Sequence, residues 1–156
     1  MSFKLKLIAI IILTLFAFPQ SVKASDREII ALFETHDGIN LLVYEDLYFV
    51  GEFSQRERAW VVFYNLLCMD KSAFVPSGVQ LLGVFLVQQE LVINVSSHIK
   101  NYGGIYNEKH LRAQIVLTGL ELSGIEAVTL LIDGEPAMLP EGLEINRVNE
   151  WDELMD

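Results

Sequence analysis

Three histidines, one cysteine and a few adjacent carboxylates are the residues of this chain whose types suggest chemistry. His36, His98 and His110 are the histidines. His98 and His110 are separated by a loop at Gly103-Gly104 and lack the close helical spacing of a metal pair. They read as loop or cap histidines, and no metal or cofactor is expected. Ser96, His98 and Asp133 contain the groups of a hydrolase triad, but no Gly-x-Ser-x-Gly elbow surrounds Ser96. A serine at the end of a strand more often bonds backbone groups. Glu45 and Asp46 are adjacent, so on a strand they point to opposite faces and make a poor acid/base pair. Cys68 lies in the apolar run "WVVFYNLLCM" and is expected to be an inert thiol; as the lone cysteine it forms no internal disulfide. Gly103-Gly104 is not followed by the Lys-Ser/Thr of a phosphate loop. Asn94-Val95-Ser96 matches a glycosylation sequon but sits inside an expected strand. No catalytic residue is assigned.

Recognition by exposed side chains is the alternative. Tyr102 and Tyr106 flank the Gly103-Gly104 loop, where aromatic rings seek cover from their own domain or from a partner. Trp151, in the acidic tail, is either a clamp on the sheet or a docking residue. Trp60, in the first long helix, is expected in the core.

The elements that position these residues are legible in the apolar pattern. "DREIIALFE" reads as a short amphipathic helical piece. "NLLVYED" and "LYFVGEF" read as strands with a bend at Glu45-Asp46. "SQRERAWVVFYNLLCMDK" lacks Gly and Pro and forms a helix capped by Ser54; its run from Ala59 to Met69 is apolar almost all round, as in a buried helix. "VQLLGVFLVQQELVINVSS" forms a hairpin broken at Gln88, Gln89 and Glu90. A second helix runs from Glu108 to Ser123, with Asn107 as cap and Gly124 as its left-handed end. Gly119 weakens its last turn. Leu111, Ile115 and Leu122 share its apolar face, widened by Val116 and Leu120. "EAVTLLIDGE" is a strand closing on an Asp133-Gly134 turn, after which "PAMLPEGLEI" returns as a short edge strand.

This order makes an α/β domain: a two-layer sandwich in which two helices pack on one face of a small mixed sheet. The second strand of the hairpin alternates, with Leu91, Ile93 and Val95 on one side. The first is apolar on both sides. The helices cover one face, so Leu82, Val84 and Leu86 are assigned to the other, with Val128, Leu130 and Ile132 of the last strand. That face is covered by the chain's own N-terminal segment or tail, by further helices, or by another protein.

The first 24 residues are not part of this domain. Lys4 and Lys6 precede an apolar run from Leu7 to Phe18, and Val22-Lys23-Ala24 offers a signal-peptidase site. Twelve apolar residues fall short of the roughly 20 that span a bilayer. A signal peptide cleaved after Ala24 is expected, giving an extracytoplasmic protein that touches the membrane only before cleavage. Residues 25–39 form an N-terminal segment, 40–145 the domain and 146–156 an acidic tail. Cleavage removes three of the 11 basic residues and no acid, so the net charge moves from −10 to −13. That field repels nucleic acid and anionic membrane.

The segment from Ser72 to Ile145 resembles the GerMN domain, a family of extracytoplasmic sporulation and spore-germination proteins. "SAFVPSGVQLLGVFL" matches its small-Pro-Gly loop into a strand, "LVINVSS" its strand ending on Ser, and "LRAQIVLTGLELSGIEAVTLLIDGE" its helix, Gly turn and strand closing on Asp-Gly. "LLVYE" and "SQRERAWVVFYNLL" fit the family's earlier strand and helix more loosely. The resemblance implies a non-enzymatic module of the cell envelope, similar in fold to the ring-building modules of secretion and sporulation channels. This chain has one copy where some members have two, no lipobox cysteine, and an acidic tail. The expected function is protein–protein contact, with an envelope partner or with another copy. A small-molecule or peptidoglycan-fragment binder is the alternative and an envelope hydrolase the next.

Overall fold

The computed structural model describes residues 26–149. Residues 1–25, which include the expected signal peptide, and the tail beyond Asn149, which includes Trp151, lie outside the described residues. The elements follow in the order β1 (Asp26–His36), β2 (Ile39–Phe49), α1 (Gln55–Cys68), β3 (Leu81–Val87), β4 (Glu90–Val95), a 3-10 turn (Ser97–Lys100), α2 (Ile105–Glu121), β5 (Ala127–Ile132) and β6 (Glu135–Pro136). Among the described residues no helix is long and apolar enough to cross a membrane.

Two sheets form. β1 and β2 make an antiparallel hairpin, while the second sheet has the order β3-β4-β5-β6, with β4 and β5 parallel and the other pairs antiparallel. The parallel β4–β5 pair requires a crossover, and α2 supplies it. Both helices lie against the same face of the second sheet, so the mixed α/β architecture read from the sequence is what the chain adopts.

The helix ends follow local chemistry. Ser54 forms a capping box, its hydroxyl accepting from the Glu57 amide and the Glu57 carboxylate accepting from the Ser54 amide. Hydrogen bonds from the Ser54 hydroxyl, at 2.7 Å, and then from the Ser54 amide hold the Glu57 carboxyl below the usual carboxylate range. α2 starts three residues earlier than the sequence suggests, with Gly104 and not Asn107 at its cap. Asn107 instead donates from Nδ2 to the Gly103 carbonyl at 2.9 Å. Gly124 is left-handed, at φ +77°, but α2 has already ended at Glu121 with Leu122 as its C-cap.

Gly119 serves packing. A Cβ there would meet Val128 Cγ2 at 2.5 Å and Leu91 Cδ2 at 3.3 Å, so the bare backbone lets α2 settle onto β4 and β5. Gly119→Ala removes a helix-weakening glycine, a gain of up to about 1 kcal/mol. It also overpacks a filled core, which costs about 1–3 kcal/mol. The expected net result is destabilisation, read as a lower urea midpoint at unchanged slope.

Three local readings change. "DREIIALFE" is not helical: it lies within an eleven-residue strand paired with β2 along its whole length. The turn falls at Asp37-Gly38, both left-handed, as a tight hairpin turn requires. β2 runs unbroken through Glu45 and Asp46, which stay in register with Ile30 and Ile29 of β1; Lys71 pairs with Glu45, and Arg27 Nη1 lies 3.3 Å from Asp46. α1 buries one face only, with Ala59, Val62, Phe63, Leu66 and Leu67 inward. Trp60, expected in the core, is 37% exposed and Tyr64 one turn on is also exposed.

Candidate interaction surfaces

The inner and outer faces of the second sheet are sorted by one irregularity. Leu81 pairs with Val95 and Gly83 with Asn94, so Leu82 is an extra residue, a bulge in β3. After it, Val84 and Leu86 lie opposite Ile93 and Leu91, on the helix-facing side. Val84 is fully buried and Leu86 packs against the core. Val128, Leu130 and Ile132 are buried there too. These five residues, assigned above to an uncovered face, are core of the domain. Leu82 alone of that set is exposed, and it is joined by Phe85 and Val87, at 45% and 56%.

The outer face is therefore apolar at its β3 side. Phe85 folds back over Gly83, whose absent side chain leaves the space, and the Arg56 guanidinium sits 5.7 Å from its ring centre. Arg56 Nε also donates to the Val84 carbonyl at 3.0 Å, which ties α1 to the edge of β3. Trp60 lies one turn along α1 from Arg56, on the same side of the helix. Val92, Asn94, Thr129 and Leu131 continue the outer face across β4 and β5, half-buried.

The two tyrosines separate. Tyr102 is half-buried, and its hydroxyl donates to Glu108 Oε2 at 3.0 Å. Burial, then the hydrogen bond and the nearby Glu108 and Glu141 carboxylates, push its ionisation well above the ordinary value. Tyr106 is exposed, accepts from Asn40 Nδ2 at 2.6 Å, and lies 4.2 Å centre to centre from the His110 ring. His110 stacks on Phe74 at 4.5 Å and meets Phe33 edge-on. Phe33, Tyr106, His110, Lys109 and Ala113 line an open recess of about 280 Å³. It is small for a ligand site and lacks the convergent polar groups that fix a small molecule.

The remaining chemistry-bearing groups serve the backbone. Ser96 Oγ accepts from the Gln80 amide at 3.0 Å and Asp133 Oδ1 from the Ser97 amide at 3.2 Å. His36 Nε2 lies 3.1 Å from Glu34 Oε2 on the surface. Burial raises the ionisation of the Cys68 thiol, the reverse of what a nucleophile needs. Among the described residues no three His, Cys, Asp or Glu side chains form a metal-binding group.

A buried carboxylate missed by sequence reasoning organises this end of the domain. Glu108, in the first turn of α2, is fully buried. Its Oε2 accepts from the Glu141 amide at 2.7 Å as well as from Tyr102, and its Oε1 accepts from the Leu143 amide at 2.8 Å. Glu141 in turn accepts from the Gly104 amide at 2.8 Å. An acidic residue in the first turn of α2 was visible in the sequence, but its distant backbone donors were not.

The family model described as "Germane: Sporulation and spore germination" matches residues 46–138, more than half of the chain. The chain belongs to the Germane family. Solved structures agree on the fold. The chain superposes on the first GerMN domain of the sporulation protein GerM from Bacillus subtilis with a TM-score of 0.63 at 16% identity, covering 82% of this chain and 99% of that one. Against the tandem GerMN domains of the same protein the TM-score is again 0.63 at 16% identity; 83% of this chain is covered, but only 48% of that chain. A putative lipoprotein from Clostridium perfringens gives 0.50 at 14% identity, with 87% and 95% covered. No curated protein matches the sequence significantly. The Germane relation links the chain to sporulation and germination, and the GerMN domain is the fold it shares with GerM.

Proposed function

We propose that this Germane-family chain is a non-catalytic protein-interaction module that works outside the cytoplasmic membrane. The observation that carries this reading is the outer face of the second sheet, where Leu82, Phe85 and Val87 stand exposed together in a strongly acidic chain. Exposed apolar residues grouped on one face favour a protein partner. Export is supported by the charged, short-apolar, small-residue order of the first 24 residues. Ser96 and Asp133 accept hydrogen bonds from backbone amides, which supports a role without catalysis.

Leu82 is the residue that separates binding from folding. It is exposed at a bulge, so Leu82→Glu is expected to change stability by less than about 1 kcal/mol. Placed in the native host, the same substitution is expected to lower sporulation or germination efficiency at normal protein level. Unchanged efficiency in Leu82→Glu and in Val87→Glu would remove the outer face from the proposal.

A further inference from the structure

The edges of the two sheets are treated unequally. At β1, the Ala31 amide donates to Thr118 Oγ1 at 3.0 Å and the Phe33 amide to Gln114 Oε1 at 2.8 Å, so α2 covers the edge with two buried side chains. At β3, Arg56 takes the Val84 carbonyl. At β5, the segment Ile145–Val148 pairs with Val128 and Leu130 and β6 pairs with the end of the strand. β6 itself is two residues long. β2 has no such cover among the described residues.

Which β2 groups are open follows from the ladder. Ala31 and Phe33 point away from β2, and in an antiparallel ladder the pairing groups alternate. Their partners Tyr44 and Leu42 therefore also point away, as do Asn40, Asp46 and Tyr48. Eleven residues without a proline, lysine or bulge extend this edge to roughly 35 Å at about 3.4 Å per residue. Long open edges are normally blunted by one of those devices.

We infer that β2 pairs with β2 of a second copy, antiparallel across a two-fold axis centred on Tyr44, to make a closed dimer through a continuous β1-β2-β2-β1 sheet. The centred register brings the most outward groups together: Tyr44 faces Tyr44, Leu42 faces Asp46 and Asn40 faces Tyr48. It places no like charges directly opposite, whereas a register centred on Asp46 would. The acids of this strand are already paired within their own chain, Asp46 with Arg27 and Glu45 with Lys71. The two Asp46 side chains lie about four residues apart along the strand, roughly 14 Å, beyond the screening length of about 8 Å at physiological salt. Growth stops at two copies because the far edge of β1 is covered by α2. This surface is separate from the outer face of the second sheet and stands or falls independently of it.

The test is the mass of the chain in the form the cell exports, measured by sedimentation from about 1 to 200 µM. A concentration-dependent monomer–dimer equilibrium is expected. Tyr44→Pro removes an outward N–H and no bond to β1, so it is expected to weaken dimerisation at least tenfold while circular dichroism and melting stay unchanged. Tyr44→Lys, which keeps the backbone and sets two cations against each other, is expected to do the same should the proline variant fail to fold. A monomer at every concentration, a dimer indifferent to both variants, or assemblies that grow beyond two copies would each overturn the inference.

Discussion

Glu108→Ala is expected to destabilise the domain by about 3–5 kcal/mol, because it leaves three donors without their acceptor: the Tyr102 hydroxyl and the Glu141 and Leu143 amides. A fully buried orphan donor costs about 1–3 kcal/mol; these three are part-buried, and relaxation of the 139–143 loop into water recovers part of the sum. Against a typical domain stability of 5–15 kcal/mol the loss is large. Glu108→Gln keeps the shape and one acceptor oxygen, so a smaller loss of about 1–2 kcal/mol is expected. Urea unfolding of the three proteins reads both values. Proteolysis gives a second readout: the loop around Pro140 should be cut early in Glu108→Ala while the β3–β4 hairpin stays protected. A loss below about 1 kcal/mol in Glu108→Ala would mean that the carboxylate does not hold this loop.

Val84→Asp carries the other large effect. Val84 is fully buried between β3 and the helices, opposite Ile93, so its substitution places a carboxylate in the core. Burying an unpaired charge exceeds what a domain of this size can absorb, and the expected outcome is a chain unfolded at 37 °C, or one that folds only below neutral pH with the acid protonated. Leu82→Glu, two residues away, is expected to fold normally. The contrast is sharp because the bulge at Leu82 puts the two side chains on different sides of the sheet. Melting curves at pH 5 and pH 8 decide it: two variants with the same modest loss would contradict the assignment of faces.

That bulge also marks where the sequence stops being readable. Strict alternation groups Leu82 with Val84 and Leu86 and treats both faces of β3 as equal. One inserted residue separates Leu82 from the other two, and nothing in "LLGVFLV" announces it except the glycine, which is needed under the Phe85 ring. β4 has no bulge, and its alternation of Leu91, Ile93 and Val95 is kept as read. β1 fails for another reason. Ile29, Ile30, Leu32 and Phe33 fall at helical spacing, and only the eleven pairs with β2 override it; Asp37-Gly38, an Asp-Gly pair between apolar runs, is the local signal that identifies the hairpin. Trp60 was placed inside by its neighbours' hydrophobicity, yet it stands 37% exposed, off the face that α1 buries. The Ser54 cap and the Asp133-Gly134 turn depend on neighbouring residues alone, and these were legible; the start of α2, capped by Gly104 and not by Asn107, was not. Glu108 and the edge-covering pair Gln114 and Thr118 depend on partners more than 30 residues away, which no local pattern encodes.

The central claim is that the outer face at Leu82, Phe85 and Val87 meets a protein partner during sporulation or germination. Photo-crosslinking in the native host tests it most directly, with the crosslinking residue at position 82 or 87 and, as a control, at the exposed hairpin turn position 37. A discrete crosslinked protein from positions 82 and 87, absent from position 37 and lost when Phe85→Glu is added, is the predicted result. No adduct from either position at normal protein level, or the same adduct from all three, would contradict the account.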